Sequence, residues 1–101
     1  MNNRKRKIAQ AKRQSRRDIH RILDAALDIN GLEASKEPYP TVFLEFSGHI
    51  GMIEIELYRD GWRAGKSHAS KEAPVHRKPL YKEISLSEMA DWLEKERERL
   101  A

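Results

Sequence analysis

The first 21 residues are the part of the sequence that most limits the fold. They carry nine Lys and Arg side chains and a single acid, Asp18, which gives the segment a net charge of +8. Like charges at this density repel one another and are costly to bury, so the segment is not expected to lie inside a hydrophobic core. We therefore divide the 101-residue chain into a basic arm, residues 1–17, and a single small domain, residues 18–101.

The remaining composition predicts a thin core. Ile, Leu, Val and Phe together number 21, near the floor of roughly 20% below which highly charged chains tend toward disorder. The absence of cysteine excludes disulfides, thiolate zinc sites and thiol nucleophiles. No apolar stretch reaches the roughly 18 residues of a membrane span, and no signal-peptide core begins the chain. The sequence therefore predicts a cytoplasmic protein that does not contact the membrane.

An amphipathic helix is predicted from Ile19 to Asn30. Apolar residues recur at spacings of three and four in this segment, and Gly31 provides the left-handed residue that commonly ends a helix. The residues upstream are compatible with helix, so the arm is either an extension of the helix back to about residue 4, as a projecting basic rod, or a partly disordered segment. Like-charge pairs four residues apart, such as Arg13 and Arg17, weaken this extension until an anion binds.

Two strands with alternating polarity follow, Thr41 to Ser47 and Ile50 to Tyr58. Asp60-Gly61 is typical of a two-residue hairpin turn, so a third strand is predicted to begin at Trp62. Residues 66–78 are interpreted as an exposed basic loop, and residues 80–84 as a short edge strand. The residues predicted to face inward are Val42, Leu44, Phe46, Ile53, Ile55 and Leu57.

The last segment has a specific helix start. Ser85 and Glu88 form the pattern of a capping box, and an apolar stripe then runs from Leu86 to Leu100. The predicted fold is α+β in the order α-β-β-β-α: one small antiparallel sheet covered by two helices, with a long basic N-terminal helix.

Nothing in the sequence predicts an enzyme or a cofactor. Residues 61–67 resemble a phosphate-binding loop, but only three residues separate Gly61 from Gly65 and no helix is predicted to follow. No serine stands in a Gly-x-Ser-x-Gly context. A zinc site built from His49, His68 and His76 with a carboxylate remains an alternative, although the ligand spacing is not typical of one.

The candidate contact residues lie in two basic regions, the arm and the segment from Arg59 to Lys82, which holds seven cations against two acids. Arg-rich arms neutralise phosphates and release counterions. Trp62 has two interpretations, stacking on a partner or closing the core, and the core interpretation is favoured. The candidates for binding nucleic acid or a partner are Arg4, Lys5, Arg6, Lys7, Lys12, Arg13, Arg16, Arg17, Trp62, Arg63, Lys66, Arg77 and Lys78.

One part of the sequence resembles a known group. Tyr39-Pro-Thr-Val-Phe-Leu-Glu-Phe-Ser-Gly-His49 and Met52-Ile-Glu-Ile-Glu-Leu-Tyr-Arg-Asp-Gly-Trp62 resemble the central hairpin of small uncharacterised proteins encoded by phages and prophages of Gram-positive bacteria. The resemblance covers about a quarter of the chain. It implies an accessory protein of a mobile element, a group that includes anti-CRISPR inhibitors. No functional residues are carried over, because the group has no common motif that marks them.

Three functions follow as hypotheses. The first is a non-enzymatic phage-type accessory protein that binds a host nucleoprotein machine, most specifically an inhibitor of an RNA-guided nuclease. The second is a regulatory protein that binds DNA or RNA directly through its basic arm. The third is a His-dependent zinc-binding protein. In each case we expect a monomer or homodimer, in the first in the cytoplasm of an infected or lysogenic bacterium.

Overall fold

A computed structural model describes residues 2–32, 39–62 and 68–101 of the chain. They form two helices and one three-stranded antiparallel sheet in the order α-β-β-β-α, so the predicted α+β fold is confirmed. Neither helix is long and apolar enough to cross a membrane. The elements are α1 Asn3–Asn30, β1 Thr41–Ser47, β2 Met52–Tyr58, β3 Ala69–Pro74 and α2 Leu86–Leu100.

The sheet has the strand order β1-β2-β3, so β2 is central. Ile53, Ile55 and Leu57 of β2 face the helices and are fully buried, as the alternation predicted. α1 packs against β1, α2 packs against β3, and the two helices pack against each other over the sheet. The core consists of Ile22, Ala25, Ala26, Val42, Ile53, Ile55, Leu57, Ala73, Leu86, Met89, Ala90 and Leu93.

The helix ends follow the local sequence. The Asn2 side chain accepts a hydrogen bond from the Lys5 N–H at 2.9 Å and caps α1. Gly31 ends α1 with φ 72°, and its N–H donates to the Leu27 carbonyl at 2.8 Å. At α2, Ser85 Oγ accepts from the Glu88 N–H at 3.1 Å, which confirms the predicted cap.

The position of the third strand was predicted wrongly. Gly61 does adopt a positive φ of 89°, but Trp62 is not part of a strand, and β3 begins at Ala69. The predicted loop of residues 66–78 therefore contains a strand. Ala, Lys, Glu and Pro are depleted in strands, so β3 has weak propensity of its own and takes its conformation from pairing with β2.

The predicted edge strand at residues 80–84 is also absent, since this segment forms a turn. It still lies beside the sheet, because the Ile84 N–H donates to the Glu72 carbonyl at 2.9 Å. One hydrogen bond joins the segment to β3, which is too few for a strand.

Candidate nucleic-acid interface

The basic arm is the projecting half of α1. Every residue from Asn2 to Arg17 is exposed except Ala9 and Ser15, which are half-buried. α1 has 28 residues, which makes it about 42 Å long at 1.5 Å per residue. The molecule measures 53 × 25 × 23 Å. The predicted projecting rod is therefore confirmed for residues 3–17.

The arm is helical despite its charge. Ala, Gln, Lys and Arg have high helix propensity, and the Asn2 cap satisfies one of the free N–H groups of the first turn. Two electrostatic effects oppose the helix. Cations crowd its positive N-terminal end, where the first turn holds no acid. Like charges also stand four residues apart, as at Lys12 and Arg16. An anion bound to the arm relieves both effects.

Six of the eight arm cations share one face of the helix. At 100° per residue, Lys5, Lys12 and Arg16 form one stripe and Arg6, Arg13 and Arg17 form the next. Together the stripes cover about 140° of the helix circumference and about 18 Å of its axis. Arg4 and Lys7 lie on the opposite side. The face continues into a shallow groove lined by Arg16, Arg17, His20, Arg21 and Asp24.

The arm is held to the body at its base by Asp18 and Arg21. Asp18 is buried and accepts hydrogen bonds from Gln14 Nε2 at 3.1 Å and Arg21 Nη1 at 3.2 Å. Arg21 Nη2 also lies 2.6 Å from carboxylate oxygens of both Glu94 and Asp91 on α2. Hydrogen bonds to Glu94 and then Asp91 raise the pKa of Arg21, and Arg21 in turn lowers the pKa of Glu94. This cluster fixes the direction in which the arm leaves the domain.

Arginines elsewhere in the described chain are paired with carboxylates. Glu96 is buried and receives two hydrogen bonds from Arg59, at 2.6 and 3.0 Å. Five described arginines lie outside the arm, and each has a carboxylate within ion-pair distance: Arg21, Arg59, Arg77, Arg97 and Arg99. The arm also holds five arginines, and within the described residues none of them forms an ion pair: Arg4, Arg6, Arg13, Arg16 and Arg17. The arm's charge is thus available to an external anion.

The second predicted basic region is not arranged like the arm. Arg77 donates two hydrogen bonds to Glu83, at 2.6 and 2.9 Å, and another to Met52 Sδ at 3.5 Å. The Glu83 carboxylate therefore neutralises the charge of Arg77. Lys78 is exposed. Arg63 and Lys66 lie outside the described residues. Among the predicted contact residues that the structure describes, only the arm cations therefore form one surface.

Trp62 does not close the core, so the favoured interpretation was wrong. Its side chain is 53% exposed and packs edge-on against Phe43, with ring centroids 6.4 Å apart. Phe43 contacts Tyr58 in the same way at 5.7 Å, and His68 stacks on Tyr58 at 4.7 Å. This aromatic group lies on the sheet face that the helices leave uncovered. The sequence signals for it were the outward alternation of Phe43 and Tyr58 and the position of Trp62 shortly after Tyr58.

The histidines do not form a ligand set. Within residues 2–32, 39–62 and 68–101, no group of three or more His, Asp or Glu side chains is arranged to hold a metal ion. His68 stacks on Tyr58, and its Nε2 lies 4.0 Å from a Glu56 oxygen. His76 packs beside Gly51. The geometry thus gives no support to the zinc hypothesis over the binding hypotheses.

Comparison of the chain with protein-family models, curated proteins and solved structures finds no match.

Proposed function

We propose that this protein is a non-enzymatic binding protein whose basic arm contacts the phosphate backbone of a nucleic acid, free or held within a nucleoprotein complex. The proposal rests on a contrast between the arginines of the body and those of the arm in their ion pairs with carboxylates. Five arginines of the body are matched by carboxylates. The five in the arm have no such partner among the described residues, and most of the arm's charge lies on one face.

The binding energy follows from counterion release. A nucleic acid holds condensed cations along its phosphates, and each Lys or Arg that neutralises a phosphate frees one of them. The logarithm of the association constant should then fall linearly with the logarithm of salt concentration. For B-DNA, six contacts give a slope of about −5 and eight contacts give about −7. Binding also removes the repulsion within the arm, so its helicity should increase in the complex.

A salt titration with matched variants tests the proposal. Replacing Arg13 and Arg16 by Gln removes two charges from the arm and keeps good helix formers. Replacing Lys82 and Lys95 by Gln removes two charges from exposed positions of the body. The arm variant should reduce the magnitude of the slope by about 2, and the body variant should leave it unchanged. Deletion of residues 1–17 should bring the slope close to zero while circular dichroism shows an intact domain.

Equal losses from the two double variants would show that net charge alone drives binding, and would contradict the role of the arm. The same conclusion would follow if the deleted chain kept the affinity of the full chain.

The narrower form of the proposal is inhibition of an RNA-guided nuclease in the bacterial cytoplasm. It rests on the resemblance of residues 39–62 to phage-encoded hairpins. In addition, the arm arginines have no carboxylate partner in the described chain, which suits a target that already carries nucleic acid. The test is capture from a bacterial lysate with and without nuclease digestion, followed by a cleavage assay with guide-loaded enzyme. Captured polypeptides that survive digestion, together with loss of cleavage, support this form. Complete loss of capture on digestion leaves direct DNA or RNA binding as the function.

A further inference from the structure

The outward backbone groups at the two edges of the sheet are not protected in the same way. At the β3 edge, the Ile84 N–H donates to the Glu72 carbonyl, and Pro74 ends the strand with a residue that has no N–H. Coverage and proline are two devices by which proteins prevent further strands from adding to an edge. Within residues 2–32, 39–62 and 68–101, neither device is present along most of the β1 edge, so it is the edge at which another strand can pair.

Asn30 shows which groups of β1 point outward. Its Nδ2 donates to the Val42 carbonyl at 2.9 Å, and its Oδ1 accepts from the Val42 N–H at 2.7 Å. The backbone groups of Val42 therefore face away from β2. Outward-facing residues alternate along an antiparallel strand, so Leu44 and Phe46 also point their N–H and C=O groups outward. Asn30 blocks one position of the edge, and the other two have no partner in the described part of the chain, so they are treated as open.

Apolar side chains border the open positions on the helix side. Leu44 and Phe46 stand opposite the buried Ile55 and Ile53, yet they are 37% and 55% exposed. On α1, Leu23 and Leu27 precede Asn30 at spacings of seven and three, so they lie on the stripe of the helix that reaches this edge. Both leucines are exposed. On the helix side, the open edge is thus bordered by exposed apolar side chains of β1 and α1.

The other face of the sheet carries a row of carboxylates. Glu45 of β1 stands opposite Glu54 of β2, which stands opposite Glu72 of β3. None of the three forms an ion pair within the described residues. Like charges at directly opposite positions destabilise a sheet, and an opposite charge there is stabilising. A cation on a strand added beside Glu45 would therefore complement the row.

We propose that the β1 edge from Phe43 to Ser47 binds an extended segment of a protein partner by strand addition. Residues of that segment on the helix side are apolar and cover Leu44 and Phe46. The alternate residue opposite Glu45 is Lys or Arg. Main-chain hydrogen bonds to the two open positions supply affinity, and the alternation of apolar and basic side chains supplies specificity.

A second copy of this chain fits the edge less well. If β1 pairs antiparallel with β1 of a second copy so that Leu44 stands opposite Phe46, both open positions are used. Glu45 then stands directly opposite Glu45 of the second copy, and the two charges repel. Two-fold pairing centred on Leu44 avoids that repulsion but needs the position at Val42, which Asn30 occupies. Two-fold pairing centred on Phe46 places Leu44 against Gly48, which lies beyond the end of β1. A foreign basic segment meets none of these three restrictions and also complements Glu45. This interaction uses a different surface from the arm and does not depend on the proposed function.

The test uses the full chain and two short synthetic peptides, one alternating Val with Lys and one alternating Val with Glu. Because the arm attracts the acidic peptide, the measurement must be residue-specific: amide hydrogen exchange at Leu44 and Phe46, with Kd from shifts of the same resonances. The Val-Lys peptide should protect both amides and bind the edge about fivefold more tightly than the Val-Glu peptide. Glu45→Lys should invert the preference, and Glu45→Gln should bring the ratio close to one.

Glu72→Lys is the matched control, since it changes the same row at the covered edge and should alter the ratio by less than about twofold. The proposal is overturned if the Val-Lys peptide leaves the two amides unprotected or if Glu45→Gln does not change the ratio. It is also overturned if the chain alone protects these amides as its concentration rises, because a second copy would then be the occupant.

Discussion

The two halves of α1 share one secondary structure but have different surroundings. In the arm, five arginines are exposed and have no carboxylate partner in the described chain. In the body, Arg21 contacts three carboxylates and the neighbouring Ile22 is fully buried. Helix propensity is similar in both halves, so it cannot explain the difference. What differs is whether α2 and the sheet stand beside the helix. Residues of one type therefore stabilise the fold in one half and remain available for binding in the other.

The largest expected difference between the halves is in apolar packing. Ile22→Ala should lower the free energy of unfolding by about 3 kcal/mol, because it removes a fully buried side chain and leaves a cavity. Ile8→Ala in the arm should change it by less than about 0.5 kcal/mol, because Ile8 is already 48% exposed. Urea unfolding measures both. Equal losses would show that the arm packs against the body.

The next largest difference is expected between Arg21 of the body and Arg17 of the arm, in their effects on stability and on binding. Arg21→Gln leaves Asp18 and Glu94 without their cation and should cost about 1–2 kcal/mol, a value reduced by the partial exposure of Arg21. Nucleic-acid affinity should change little. Arg17→Gln should have the opposite effects, with unchanged unfolding and a salt slope reduced in magnitude by about 1. Urea unfolding and DNA titration of both variants separate the two roles, and identical behaviour of the variants would remove the distinction.

A smaller effect should be confined to the arm. Asn2→Ala removes the hydrogen bond to the Lys5 N–H and should destabilise the first turn by about 1 kcal/mol. Global unfolding should not change, because no core residue depends on that turn. Amide hydrogen exchange in the first turns of α1 should quicken while exchange at Ile22 stays the same. Faster exchange at both places would mean that arm and body unfold together.

The smallest effect should appear on acidification. Two hydrogen bonds from Arg77, and a further one from the Leu80 N–H, lower the pKa of Glu83 to about 2 from its ordinary value of 4.5. This carboxylate stabilises the fold above pH 4.5, and its contribution is lost as the pH falls toward 2. The difference in unfolding free energy between the unmodified chain and Glu83→Gln should therefore shrink toward zero as the pH falls from 4.5 to 2.

Arg17→Gln serves as the control for the acid titration. It should follow the unmodified chain at every pH, because Arg17 makes no ion pair in the described structure. A difference between Glu83→Gln and the unmodified chain that stays constant from pH 7 to 2 would contradict the role given to Arg77.

Local signals were sufficient for several elements. The apolar spacing of α1, the Ser85 cap and the alternation of β1 and β2 predicted these elements. Of the three β1 residues predicted to face inward, only Val42 is buried, since Leu44 and Phe46 are exposed at the sheet edge. Each of these features involves residues close in sequence, so neighbouring side chains and backbone geometry decide it. The arm was predicted for the same reason, since no tertiary contact is needed to form it.

Other features depended on distant contacts. β3 lacks strand-forming residues and exists because β2 pairs with it. Trp62 was expected in the core but lies on the uncovered face beside Phe43. The pairing of Asn30 with Val42 spans a segment with no periodic pattern, so nothing in the sequence indicated which edge of the sheet stays open.

The sequence by itself determined that a highly cationic helix would precede a small α+β body, because charge density and apolar spacing act over a few residues. Only the tertiary structure decided which arginines carry unneutralised charge and which sheet edge is free. Both depend on side chains brought together from positions up to 73 residues apart, as Arg21 and Glu94 are. The pairing of such groups depends on how the helices and strands pack, which local patterns do not encode.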